Sequence, residues 1–361
     1  MKKKTLCTLA VLLGASRLVC AQVVDTPVPD DPVVIDSGRI AGKLLQSGVR
    51  AYWGVPFAAP PVGELRWREP QPVQSWRGVY NADRFAPECM QILRPHNINH
   101  YFGEEATSED CLYLNIWTPP GSTPDSKAPV IVWIYGGGFS IGSASMPNYG
   151  GENLAKKGVV YVAIAYRVGA LGFMAHPALT ASSAHASSGN YGHLDQVAAL
   201  NWIRRNIARF GGDPERVTVM GQSAGASSAF SLQVSPLARG LFHRIVGMSG
   251  GGLRAGVEPQ TQQQAERSGL ELEKALKVDS LAALRNVPAD RIVDAQAEFQ
   301  LGGTAGTVRF APNVDARFMP RTPRAVRPIG RTSFSSKRTA LPASENSITS
   351  CLPSVTAAPI R

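Results

Sequence analysis

The segment Gly221-Gln222-Ser223-Ala224-Gly225 constrains this chain more than any other. It directly follows the strand-like run Val217-Thr218-Val219-Met220 and precedes a helix-compatible stretch from Ala226 to Leu232. A serine with glycines two before and two after it, at such a junction, predicts a tight strand-to-helix turn kept free of Cβ clashes. The hydroxyl then projects at the C-terminal edge of a sheet, where the N-terminus of the next helix favours developing negative charge. That arrangement calls for parallel strands covered by helices.

Four apolar runs supply those strands: Val130 to Tyr135, Val159 to Tyr166, Arg216 to Met220 and Arg244 to Met248. Each is continuous rather than alternating, the pattern of strands buried on both faces. Between the second and third, Leu194, Val197, Ala198, Ile203, Ile207 and Phe210 recur at helical spacing, and Gly211-Gly212 stops the helix. A second amphipathic helix is expected from Thr261 to Leu276. Near the start, Val33-Val34-Ile35 and Ala51 to Val55 are separated by Gly and Pro, which suggests an antiparallel opening. The alternation of strand and helix predicts an α/β fold with a mostly parallel central sheet flanked by helices. With 361 residues, 44% of them hydrophobic, the chain can fill one large core or two modest ones; length alone leans towards two domains, but α/β folds of this size often stay single, and residues 22–328 are expected to form one domain.

A serine that attacks an acyl group also needs donors for the oxyanion that forms. Gly136-Gly137-Gly138-Phe139 follows the first buried run, and glycines let backbone N–H groups approach a substrate oxygen closely. This loop precedes the serine turn by 85 residues, in the order such a fold requires.

The formal charge of +10 raises the possibility of a nucleic-acid partner, and its distribution removes it. Residues 1–21 carry Lys2, Lys3, Lys4 and Arg17 with no acid, and residues 316–361 carry eight basic residues against Glu345. The stretch between them is balanced to −1, so the body has no electrostatic case for DNA, RNA or an anionic membrane.

Lys2-Lys3-Lys4, the apolar run Leu6 to Ala15 and the small residues before Ala21 read as a secretory signal peptide over 1–21. Past it no apolar run reaches about 18 residues, so no membrane span is expected. The chain is expected to be exported, to the periplasm or outside the cell. Of the five cysteines, Cys7 and Cys20 belong to this leader and Cys351 to the basic tail. Cys89 and Cys111 remain, and export makes a disulfide between them reasonable, worth about 3 kcal/mol by chain entropy. No Cys/His spacing has the form of a zinc site. Residues 329–361 show neither period and are expected to be an irregular basic tail.

The chain resembles the type-B carboxylesterases, which include the cholinesterase-like α/β-hydrolases, from about Val33 to about Pro328. The resemblance rests on the run from Phe210 to Gly225, on Glu109-Asp110-Cys111-Leu112-Tyr113-Leu114-Asn115-Ile116-Trp117, and on Tyr52-Trp53-Gly54-Val55-Pro56-Phe57-Ala58 with Pro60-Pro61-Val62-Gly63 and Leu65-Arg66. Tyr166 to Phe173 and Asn190-Tyr191-Gly192 extend it. It implies an α/β-hydrolase fold and hydrolysis of a small carboxylic ester through a serine acyl-enzyme, with no cofactor or metal. By position it makes Ser223 the nucleophile and the N–H groups of Gly137, Gly138 and Ala224 the oxyanion hole. Cys89–Cys111 would match the family's first disulfide loop, and Asp195 and Arg167 would hold structure.

The sequence departs from the family after that. A serine hydroxyl needs a general base and an acid to orient it, here in the chain order Ser, Glu or Asp, His. The six histidines are His96, His100, His176, His185, His193 and His243, of which only His243 follows Ser223. It stands too early for the family's base and is expected at a strand entry. Glu345 lies at a plausible distance for the acid without the family's surrounding motif. Two readings fit: a truncated or frame-shifted product lacking the C-terminal part of the fold, which the abrupt arginine-rich tail favours, or a natural short form without the triad. Lost C-terminal strands would leave a sheet edge unpaired. A catalytically inactive fragment or a binding or adhesion relative is therefore the alternative to an esterase, although Ser223 and its glycines are retained. Gln222 replaces a glutamate common in relatives, and the Cys89–Cys111 loop offers Tyr101 and Phe102 but no Trp. Both disfavour choline esters and leave short or medium acyl, or aryl, esters.

Overall fold

The main sheet is assembled from β1 (Thr26–Pro27), β2 (Lys43–Leu44), β3 (Arg50–Pro56), β4 (Tyr113–Thr118), β5 (Ala128–Ile134), β6 (Val160–Ile164), β7 (Gly212–Gln222), β8 (Arg244–Met248) and β9 (Val355–Pro359). A computed structural model describes residues 26–92, 106–251, 259–301, 308–325 and 355–359. The expected signal peptide over 1–21 lies outside the described residues, as does most of the tail.

The strands stand in the order β1-β2-β3-β4-β6-β5-β7-β8-β9. The four central ones are the four apolar runs, and they are parallel: β6 to β5, β5 to β7 and β7 to β8. Antiparallel pairings carry the sheet outward, through β4, β3, β2 and β1 on one side and β9 on the other. Every residue of β6 is buried, as a strand covered on both faces must be.

Helix α1 (Tyr191–Asn206) continues as a tight turn over Ile207–Phe210 and stops at Gly211, which takes a left-handed φ of 79°. Its Leu200, Trp202 and Ile203 are buried at about 1.5–3 kcal/mol each. Helix α2 (Ala224–Val234) packs on β7 and β8. Helix α3 (Gln262–Leu276) opens with a capping box, Thr261 taking the N–H of Gln264 while the Gln264 side chain takes that of Thr261. Helix α4 (Ala289–Leu301) follows.

Cys89 and Cys111 are joined in a disulfide, Cα to Cα 5.0 Å. No helix among the described residues is long and apolar enough to cross a membrane. The edge beyond β8, expected to lie open, is paired: Val355–Pro359 runs antiparallel to it, within a tail expected to be irregular. Main-chain pairing depends little on side-chain pattern, so a strand of this kind leaves no periodicity to read.

Candidate active site

Strand β7 ends at Gln222 and α2 begins at Ala224, so Ser223 alone makes the turn. Its backbone sits at φ 54°, ψ −118°, a conformation that costs a residue with a Cβ about 1–3 kcal/mol. The surroundings hold it there. The Ser223 N–H donates to the Met248 carbonyl at 2.8 Å, and the Ser223 carbonyl accepts from the Ser227 N–H at 3.0 Å. Gly225 lies against the end of β5, where a Cβ would fall on the Ile134 carbonyl oxygen. The serine is half-buried.

The triple-glycine loop lies against this turn. A Cβ on Gly136 would stand 3.1 Å from the Ser223 Cβ and 2.7 Å from the Gln222 carbonyl oxygen. Gly137, Gly138 and Phe139 then take φ values of 113°, 64° and 63° in succession, a path closed by the Ser140 and Ile141 N–H groups donating to the Gly137 carbonyl. Phe139 anchors the far end: its carbonyl accepts from the Gly169 N–H at 2.6 Å, and its ring meets Phe173 and His193 edge-on. At the near end Tyr135 and Tyr166 are stacked with centroids 4.4 Å apart, and each hydroxyl donates to the other residue's carbonyl. The first amides of α2 lack intrahelical acceptors and carry the positive end of the helix dipole beside Ser223. Ser223, Ala224 and the loop bearing Gly137 and Gly138 are thus brought together.

Other candidates stand apart. His243 precedes β8, at the end of the β7–β8 pair opposite Ser223, roughly 20 Å away at about 3.3 Å per residue. Its backbone N–H donates to the Val217 carbonyl and its Nδ1 accepts from the Val217 N–H at 3.3 Å, which is the strand-entry role expected of it. His96, His100, Glu345 and Cys351 lie outside the described residues. Among the described residues the Ser223 hydroxyl has no hydrogen-bond partner, and no group of three or more metal-ligating side chains occurs.

Asp195 is buried and grips Arg167 with both carboxylate oxygens, at 2.8 Å from Nε and 2.7 Å from the terminal nitrogen, while also accepting the Arg167 N–H at 3.0 Å. The pair ties α1 to the segment after β6, a structural role. His193 is fully buried with neither ring nitrogen bonded among the described residues, stacked on Phe318 at 4.6 Å, and burial pushes its imidazole down to about 3.

Sequence reasoning missed the floor of the turn. Ser249 takes φ 52°, and Gly250 comes so close that a Cβ would strike the Ser223 carbonyl. The signal was available: Ser249-Gly250-Gly251 follows β8 as Gly136-Gly137-Gly138 follows β5.

A family model described as the carboxylesterase family matches residues 29–341. A fumonisin B1 esterase of Sphingopyxis macrogoltabida is 46% identical over 265 residues, covering 72% of this chain and 46% of that protein. Liver carboxylesterase 1F of Rattus norvegicus is 43% identical over 263 residues, 67% of this chain and 46% of its own length. The crystal structure of the Geobacillus stearothermophilus carboxylesterase EST55 superposes with a TM-score of 0.71 at 38% identity, covering 81% of this chain and 57% of that one. The chain spans about half the length of the curated relatives it matches.

Proposed function

The chain belongs to the carboxylesterase family, and from that premise we propose that it hydrolyses carboxylic esters at Ser223. The reading is carried by one observation: a serine on a left-handed strand-to-helix turn, with a glycine loop packed against its Cβ. In the step we assign to it, the Ser223 Oγ attacks the ester carbonyl carbon. The carbonyl electrons move onto oxygen, facing the N–H groups of Gly137, Gly138 and Ala224. Collapse re-forms the carbonyl and breaks the ester C–O bond, the proton lost from Oγ passing to the departing oxygen to give the alcohol, and water then cleaves the acyl-serine to the carboxylic acid and restores the Oγ–H. A neutral Gln222 beside the nucleophile supports short or medium acyl, or aryl, esters over cationic ones. The basic and apolar N-terminal sequence and the Cys89–Cys111 disulfide support export.

The proton leaving Oγ needs an acceptor, and among the described residues no side chain is bonded to that hydroxyl. This favours a second reading, a catalytically inactive or binding relative of the same fold. Turnover of p-nitrophenyl acetate by the full chain separates the two. We expect a rate about 10⁶-fold below that of a complete serine esterase, the loss typical of a missing base, with the remaining rate over water coming from the oxyanion hole and substrate binding. A rate comparable to that of a complete serine esterase and abolished in Ser223→Ala would establish the first reading, and the same rate retained in Ser223→Ala would remove Ser223 from the reaction.

A further inference from the structure

A cavity of about 350 Å³ lies apart from the serine turn and the glycine loop, and none of its lining residues belongs to either. Its walls come from the segment Trp67 to Gln71, the serine-rich turn 182–188, the first residues of α1, Arg285 and Asp315. The volume falls within the usual range for a small-molecule site.

Its charges are unevenly matched. Glu69 lies 3.3 Å from Arg317 and 3.7 Å from His185. The Asp315 carboxylate accepts the N–H groups of Phe318 and Met319, both at 2.7 Å, and the Asn190 amide at 3.0 Å. Both acids are therefore satisfied. The two arginines are not: among the described residues no carboxylate lies within ion-pairing distance of Arg68 or Arg285. Arg68 donates from Nε to the Glu64 carbonyl and Arg285 from Nε to the Arg66 carbonyl, and among the described residues their terminal nitrogens have no acceptor. Partial burial, and then the Arg68 charge, hold Arg285 below its ordinary value, with the Glu64 carboxylate acting in the opposite direction, and both arginines line the one cavity. Hydroxyl donors stand near: Ser183 Oγ accepts the His185 N–H and keeps its own hydrogen to give.

We propose that this cavity binds a small oxyanion, a carboxylate or a phosphate, between Arg68 and Arg285. A planar guanidinium matches either group with paired donors, and an anion between two of them would relieve their repulsion. Nothing in the assignment depends on ester hydrolysis.

Thermal unfolding of the full chain tests it, with succinate or inorganic phosphate titrated at constant ionic strength. One of the two is expected to raise Tm saturably, and which one identifies the group recognised. Arg285→Gln and Arg68→Gln are each expected to weaken that anion about tenfold, the loss of one charged hydrogen-bonding partner. Ser223→Ala is expected to bind as before. Arg68 is exposed, so its variant is expected to retain the fold, and weakened binding there alone supports the site if Arg285→Gln does not fold. No saturable shift with either anion, or an undiminished one in Arg68→Gln, would overturn the proposal.

Discussion

Two layers of the molecule lie close together and are built differently. At the rim where β5, β7 and β8 end, Gly137, Gly138, Phe139, Ser223 and Ser249 all take positive φ, and the Gln222 side-chain oxygen is buried with no partner among the described residues. One layer down, Asp195 and Arg167 are joined through both carboxylate oxygens, and Tyr135 and Tyr166 bond each other's backbone. The rim holds unfavourable backbone and an unmet amide oxygen, while the layer beneath is tied by paired bonds, although one Arg167 terminal nitrogen and both His193 ring nitrogens have no partner among the described residues. Strain of this kind persists only where its neighbours leave no alternative. The Met248 carbonyl and the Ser227 N–H hold the half-buried serine on its tight bend directly, and the lower layer fixes the strand and loop ends around it.

Breaking the support should cost most. Asp195→Ala leaves the buried Arg167 charge without its carboxylate and is expected to lower stability by about 3–5 kcal/mol in urea unfolding. A loss below about 1 kcal/mol would mean that the lower layer is not what holds the rim. His193 sharpens the comparison through pH. Its folded value, about 3, is below the ordinary 6.5 or so, so the unfolded chain takes up a proton first. Stability should be fully present above about pH 6.5 and fall as pH drops towards 3, by about 1.4 kcal/mol per pH unit from this residue. His193→Leu is expected to flatten that acid slope, read by unfolding between those limits. The smallest effect belongs to the rim itself. Ser223→Gly removes the Cβ from a left-handed turn and should raise Tm, by about 1 kcal/mol of stability. A destabilised glycine variant would show that the turn is not strained.

Much of this was legible in the sequence. The four apolar runs became the four parallel strands, because a strand covered on both faces has no polar side to alternate with. The stop at Gly211 and the serine turn were legible because each needs a glycine for a steric reason. Their spatial order was not, since β5 lies between β6 and β7 by crossover connections that leave no local mark. The contact of Gly250 with Ser223 joins residues brought together only by the β7–β8 pairing. The pairing of Val355–Pro359 with β8 is main-chain bonding that side-chain periodicity does not record. Neither arginine at the cavity stood out, because Arg68 and Arg285 meet only in the fold.

The central claim is that Ser223 is the acyl-accepting nucleophile, and locating a covalent adduct tests it most directly. The full chain is incubated with excess fluorophosphonate, and the adduct is mapped by peptide mass spectrometry. A single adduct on Ser223, formed slowly and absent from Ser223→Ala, is the predicted result. No adduct at all, or one that persists in Ser223→Ala, would contradict the account.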